Sequence, residues 1–202
     1  MEYPNYKILY FAPNLIGYVR LMLLAASWYY ITNNPIIFIT LYGTSAILDA
    51  FDGIAARYLN QTSAFGAWFD IVIDNIGRGI IWSYTFEWGY FVSVLEWLVF
   101  VCTHTHGPSW KKPVGDSPPF LVKAVMANNF KTAIGVYTIS GLHVLPLWLY
   151  SLKMLALINQ FLASSLITAI TIVLVSGRVT CSLVEFWFLW THIKALLTDF
   201  RI

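Results

Sequence analysis

The stretch Asp49-Ala-Phe-Asp52-Gly53-Ile-Ala-Ala56-Arg57, followed after eight residues by Gly66 and then by Asp70 and Asp74, decides how this chain is read. It sets four carboxylates inside two apolar segments. Each costs about 2.5–3.5 kcal/mol near a bilayer centre, so four left unpaired cost roughly 10–14 kcal/mol. The whole chain has only 12 Lys and Arg against 10 Asp and Glu, and the stretch itself holds one base, Arg57, against these four acids. A divalent cation is the natural compensator, because hard oxygen ligands suit magnesium, calcium or manganese. Asp49 and Asp52 are spaced i, i+3, and Asp70 and Asp74 i, i+4, so each pair shares a helix face. If one helix descends from Pro35 to Arg57 and the next returns from Phe65, the pairs meet at one depth near one membrane mouth. Gly53 and Ala56 lack bulk and let a ligand approach the backbone. Arg57 can present a planar fork to a phosphate.

Composition agrees with a membrane setting. The 202 residues are 58% hydrophobic and 11% charged, with mean hydropathy +0.67, values of an integral membrane protein. Nine Trp, twelve Tyr and fourteen Phe suit interfacial belts. There is no P-loop, Gly-rich dinucleotide motif, His-Glu-x-x-His or repeat of 20–50 residues. Length gives one domain, 1–202. The expected fold is an all-α polytopic bundle of about six transmembrane helices with a short N-terminal interfacial segment over residues 1–13. No signal peptide is expected. The spans are placed at about 13–31, 35–58, 65–87, 89–103, 132–150 and 156–182, the last continuing as an aromatic surface tail. A separate seventh span over 180–198 is the competing reading.

Lys111, Lys112 and Lys123 in the long 104–130 loop mark a cytosolic side. Counting back puts the acidic mouth on that side too, so the sequon Asn60-Gln61-Thr62 is expected to carry no glycan. His104 and His106 read as solvated surface. Glu96 reads either as a bundle contact or as a pocket residue. Asn14 and Arg20 stand at a membrane entrance, either snorkelling or functional. Cys102 and Cys181 read as free thiols.

The pattern Asp-x2-Asp-Gly-x2-Ala-Arg-x8-Gly-x3-Asp-x3-Asp resembles, at all eight fixed positions, the signature of the CDP-alcohol phosphotransferases. Pro13-Asn14-Leu-Ile-Gly-Tyr-Val-Arg20, Leu48–Asp74 and the Asn-Gln pair at 60 and 61 are similar to the eukaryotic phosphatidylinositol synthases within that family. The likeness is close over the first third and weakens after Asp74. There the subfamily usually continues Asp-Arg, whereas this chain has Asn75 and its next arginine is Arg78. Its His-rich fourth helix is reduced here to Glu96-Trp97.

The resemblance implies transfer of a phosphatidyl group from CDP-diacylglycerol to a small polyol, myo-inositol first, in an endoplasmic reticulum membrane, with the active site facing the cytosol. It implies two Mg2+ or Mn2+ ions on Asp49, Asp52, Asp70 and Asp74, with Asp74 as catalytic base. Gly53, Ala56, Arg57 and Gly66 would bind the CDP-lipid. Arg178, on the last helix, and Lys131, before the fifth, would bind the acceptor; a helix-end cation is the plainer reading of Arg178. Membrane lipid is the expected surroundings, a homodimer is compatible, and nucleic acid is not an expected partner. A transporter using intramembrane acids as an ion path would not need the Gly-x2-Ala-Arg spacing. A non-catalytic lipid-binding relative would not need the acids intact.

Overall fold

The computed structural model describes residues 4–104, 118–155, 160 and 162–198. Among them the chain is all-α. Seven α-helices occur: α1 Ala12–Tyr30, α2 Pro35–Tyr58, α3 Ala64–Thr85, α4 Gly89–His104, α5 Phe120–Met126, α6 Ala133–Met154 and α7 Ser164–Thr198. Two short 3-10 helices, Tyr6–Tyr10 and Ala127–Phe130, precede α1 and follow α5. Three helices, α2, α6 and α7, are long and apolar enough to cross a membrane. Helices α1 and α3 have 19 and 22 residues but carry Arg20, Asp70, Asp74 and Arg78.

Local chemistry sets the helix starts. The Asn34 side chain accepts from the Ile37 backbone N–H at 3.1 Å, and Pro35 follows at the first helical position, which needs no N–H there. Ser63 Oγ accepts from the Gly66 N–H at 3.0 Å and starts α3. Thr132 Oγ1 accepts from the Gly135 N–H at 3.1 Å and starts α6.

The chain forms two compact units, 1–80 and 81–202, and α3 runs across their boundary. In the first unit, α1 packs along α2, burying Leu24, Ile31, Phe38 and Tyr42, while Phe69 and Ile73 of α3 are also buried. Gly17 of α1 lets Phe69 close in, since a Cβ there would lie 2.8 Å from its ring. In the second unit, α7 packs on α6 and α4. Gly141 and Gly177 bring the α6 and α7 backbones into direct apposition; a Cβ on Gly141 would collide with Arg178 N and Gly177 C. Trp82, Leu145 and Leu174 form one core, and Val122, Val125 and Val184 another. Asn128, Asn129 and Phe130 take consecutive left-handed conformations, with φ 49°, 53° and 65°. Such a turn is costly for a bulky Phe, and the Phe130 ring packs against the second core.

The last helix differs from expectation. It runs unbroken for 35 residues, about 52 Å at 1.5 Å per residue, against a hydrocarbon core of about 30 Å. It neither ends near Ser182 nor gives a separate seventh span. No proline interrupts 164–198, so nothing stops the helix. Residues 156–159, where the sixth span is expected to begin, lie outside the described residues, as do His106, Lys111 and Lys112. Cys102 and Cys181 are thiols and form no disulfide.

Candidate active site

Helices α1, α2 and α3 bring four carboxylates around one guanidinium. Arg20 of α1 is 2% exposed. Its Nη1 lies 2.8 Å from Asp49 Oδ1, 2.7 Å from Asp52 Oδ2 and 2.6 Å from Asp70 Oδ1. Its Nη2 lies 2.7 Å from Asp74 Oδ1. The i, i+3 and i, i+4 spacings therefore do place both acid pairs on facing helix surfaces at one level. Ser45 Oγ donates to the Arg20 carbonyl at 3.2 Å, tying α2 to α1 at the same depth. Arg20 Nε is buried without a hydrogen-bond partner among the described residues.

Oxygens of Asp49, Asp70 and Asp74 lie within 4.8 Å of one another, a spacing that could hold a metal ion. Asp52 lies outside that triad and is the least exposed of the four side chains. Arg20 and Arg78 offset two of four negative charges, so the cluster keeps an excess of negative charge to which a further cation is suited.

A cleft of about 560 Å³, counted with its open mouth, adjoins the acids and is lined by Asn14, Gly53, Ala56, Gly66 and Asp70 among others. The glycines differ in what they leave room for. A Cβ on Gly66 would lie 2.9 Å from Asn14 Oδ1, so close helix packing already requires its absence. A Cβ on Gly53 would meet only the Arg57 guanidinium, at 3.5 Å. The space over Gly53 is thus open, and Arg57 folds back along α2 toward it. Asn14 is 2% exposed; its Nδ2 donates to the Ile8 carbonyl at 2.6 Å. Gln61 Oε1 accepts from the Ala12 N–H at 2.8 Å, fastening the α2–α3 loop to the start of α1.

Arg178 and Lys131 belong to the second unit. Arg178 is not at a helix end: it lies within α7, 6% exposed. Its Nη1 donates to Glu185 Oε2 at 2.8 Å and to Ser182 Oγ at 3.0 Å, and its Nη2 to Glu96 Oε1 at 3.5 Å. Glu96 is therefore a bundle contact. Lys131 is exposed and follows the left-handed turn.

Two residues at this site carry more than the sequence assigns them. Along the chain Arg20 reads as a charge at a membrane entrance, either snorkelling or functional, with no partner assigned, and Arg78 only as the next arginine. Arg78 lies 3.3 Å from Asp74 Oδ2. Its signal is present in the sequence: the i, i+4 spacing from Asp74 on one helix face.

The chain thus sets four aspartates of α2 and α3 around one arginine of α1, beside a glycine-lined cleft, in an all-α fold with helices apolar enough to cross a membrane. The chain belongs to the CDP-alcohol phosphatidyltransferase family, whose model matches residues 10–110. Among its relatives, the CDP-diacylglycerol–inositol 3-phosphatidyltransferase of Saccharomyces cerevisiae is 48% identical over 68 residues, which are 34% of this chain and 31% of that protein. The Homo sapiens enzyme of the same name is 45% identical over 72 residues, 36% of this chain and 34% of that protein. An Arabidopsis thaliana counterpart is 33% identical over 129 residues, 59% of this chain and 57% of that protein. The chain thus spans about a third of the length of the yeast and human relatives it matches. No solved structure matches it.

Proposed function

We propose that the protein transfers the phosphatidyl group of CDP-diacylglycerol to an alcohol, with myo-inositol the first candidate, releasing CMP. The observation that carries this reading is the convergence of Asp49, Asp52, Asp70 and Asp74 on one point beside the cleft over Gly53. The names of the matched relatives support inositol as acceptor. The family model matches residues 10–110, which include this cluster.

Asp49, Asp70 and Asp74, with Asp52 beside them, would hold two Mg2+ or Mn2+ ions. Such ions would offset the diphosphate charge and stabilise the attacking and leaving oxygens. The remaining roles fall to the chain itself. Gly53, Ala56 and Gly66 leave room for the nucleotide, and Arg57 neutralises its phosphates. Asp74 accepts the proton of the acceptor hydroxyl. The acceptor oxygen bonds to the phosphorus that carries diacylglycerol, the phosphoanhydride bond breaks, and CMP leaves with the electron pair. Arg178 and Lys131 are proposed as acceptor-binding residues on the family resemblance. Lys111, Lys112 and Lys123 of the 104–130 loop support an acidic mouth toward the cytosol, and an endoplasmic reticulum membrane is proposed on the family resemblance.

The test is CMP release by purified protein given CDP-diacylglycerol and a panel of alcohols. Release with inositol above the other alcohols supports the proposal. Absence of release with every alcohol, from folded protein supplied with divalent ions, refutes it.

A further inference from the structure

We infer that Arg78 is a positioning residue that fixes the carboxylate plane of Asp74 from the side opposite Arg20. The inference rests on the proposed role of Asp74 in ion binding and proton transfer.

Three features of α3 lead to it. Arg78 lies four residues after Asp74, on the same helix face, and is 6% exposed. Its Nη1 donates to Asp74 Oδ2 at 3.3 Å, while Arg20 Nη2 donates to Asp74 Oδ1 at 2.7 Å. Each oxygen of one carboxylate is thus held by a different guanidinium, one from its own helix and one from α1. The Arg78 fork is itself held, because its Nη2 donates to Asn75 Oδ1 at 2.6 Å. Asn75 is 3% exposed. The two arms of one guanidinium therefore link Asp74 and Asn75, one turn up the same helix.

A carboxylate that must bind a cation and take a proton gains from a fixed orientation, and residues that orient a metal ligand typically contribute about 10- to 100-fold in affinity or activity. Only a guanidinium serves both partners at once: Nη1 reaches Asp74 while Nη2 reaches Asn75. A lysine carries the charge as a single point and lacks the planar fork. A merely structural cation would tolerate that exchange; a positioning fork would not.

The experiment uses the full chain in nanodiscs. Mn2+ binding is read by electron paramagnetic resonance, thermal unfolding is recorded, and CMP release is followed with CDP-diacylglycerol and inositol. Arg78→Lys is expected to unfold within a few degrees of the unaltered protein yet to bind Mn2+ about 10-fold more weakly and to lose about 10-fold in kcat. KM for the donor should change less than about 3-fold, within the context dependence of such effects. Asn75→Ala should shift Mn2+ binding and kcat in the same direction. Asn75→Ala combined with Arg78→Lys should be no worse than Arg78→Lys alone, since Asn75 acts through the fork. Unaltered Mn2+ affinity and kcat in Arg78→Lys would overturn the inference. So would additive losses in the pair, or activity that falls only in step with thermal stability. The unaltered protein tests the proposed function separately: if it neither binds Mn2+ nor releases CMP, the role of Asp74 itself fails.

Discussion

Arg20 Nη1 lies 2.7 Å from Asp52 Oδ2, joining two buried residues 32 positions apart on adjacent helices. Asp52 is the acid that stands apart from the Asp49–Asp70–Asp74 triad. It anchors a guanidinium that also donates to Asp70 and Asp74 and pairs with Asp49. The cluster thus carries its own cation, which lets four aspartates fold together before any ion or substrate arrives. Without it, like charges on α2 and α3 would face each other across a few ångströms in a medium that screens poorly.

Arg20→Gln should therefore destabilise the protein when divalent ions are absent. Removing one partner of a buried ion pair costs about 3–5 kcal/mol. The lower end applies here, because Asp49 and Asp70 side chains are 43% and 44% exposed and water screens them. Adding Mg2+ should recover much of the loss, since a ligand that binds only the folded state stabilises it by mass action. Thermal unfolding with and without Mg2+ checks both halves. An equal loss in both conditions would mean that Arg20 supports packing alone.

The two glycines of the cleft should separate on substitution. Gly53→Ala meets nothing closer than the Arg57 guanidinium at 3.5 Å, and alanine is favoured over glycine inside a helix by about 1 kcal/mol. Stability should hold or rise, while KM for CDP-diacylglycerol increases because the methyl occupies ligand space. Gly66→Ala would press on Asn14 Oδ1 at 2.9 Å and should lower stability and activity together. Melting curves paired with donor saturation curves decide this. A Gly53→Ala variant with unchanged donor KM would place the nucleotide elsewhere.

For Arg178, stability and acceptor binding are to be measured separately. Arg178→Ala strands Glu96 and Glu185, both buried, and should cost about 3–5 kcal/mol. Combining it with Glu96→Gln and Glu185→Gln should restore most of that stability. If inositol KM stays raised in the stabilised triple variant while donor KM does not, Arg178 binds the acceptor. If inositol KM returns to its original value, Arg178 serves the α4–α7 packing only.

Orientation is read at Asn60, an exposed residue with φ 53° just past α2. In a glycosylating cell it should remain unmodified, because it lies on the cytosolic side in the proposed topology. A glycosidase-sensitive mass shift abolished by Asn60→Gln would invert that topology.

What the residues disclose in advance is the part governed by spacing along one helix. Asp49 with Asp52, and Asp70 with Asp74, can be placed on helix faces by counting, and the polar breaks at Asn33-Asn34-Pro35 and Asn60–Ser63 mark the turns that bound α2. The partner of the acids is not legible, because Arg20 reaches them only through the crossing of α1 with two other helices. The helix-end position expected for Arg178 is misplaced for a related reason. Helix α7 is apolar nearly all round, so no periodic face shows where a membrane span ends or which side meets Glu96. The hold of Arg78 on Asp74 is legible in principle as an i, i+4 pair. It is obscured by Asn75, which looks like a lost arginine until its amide oxygen is seen on Arg78.

If the aspartate cluster drives ion-dependent phosphatidyl transfer, the purified protein should show it without any other component. CMP release from CDP-diacylglycerol and inositol is followed before and after chelation, beside Asp74→Asn. Release should stop in excess chelator and return with Mg2+ or Mn2+. Asp74→Asn, which loses a base worth about 10²–10⁴-fold and an ion ligand besides, should show almost none. Undiminished release in excess chelator, or a fully active Asp74→Asn, would overturn the role assigned to the cluster.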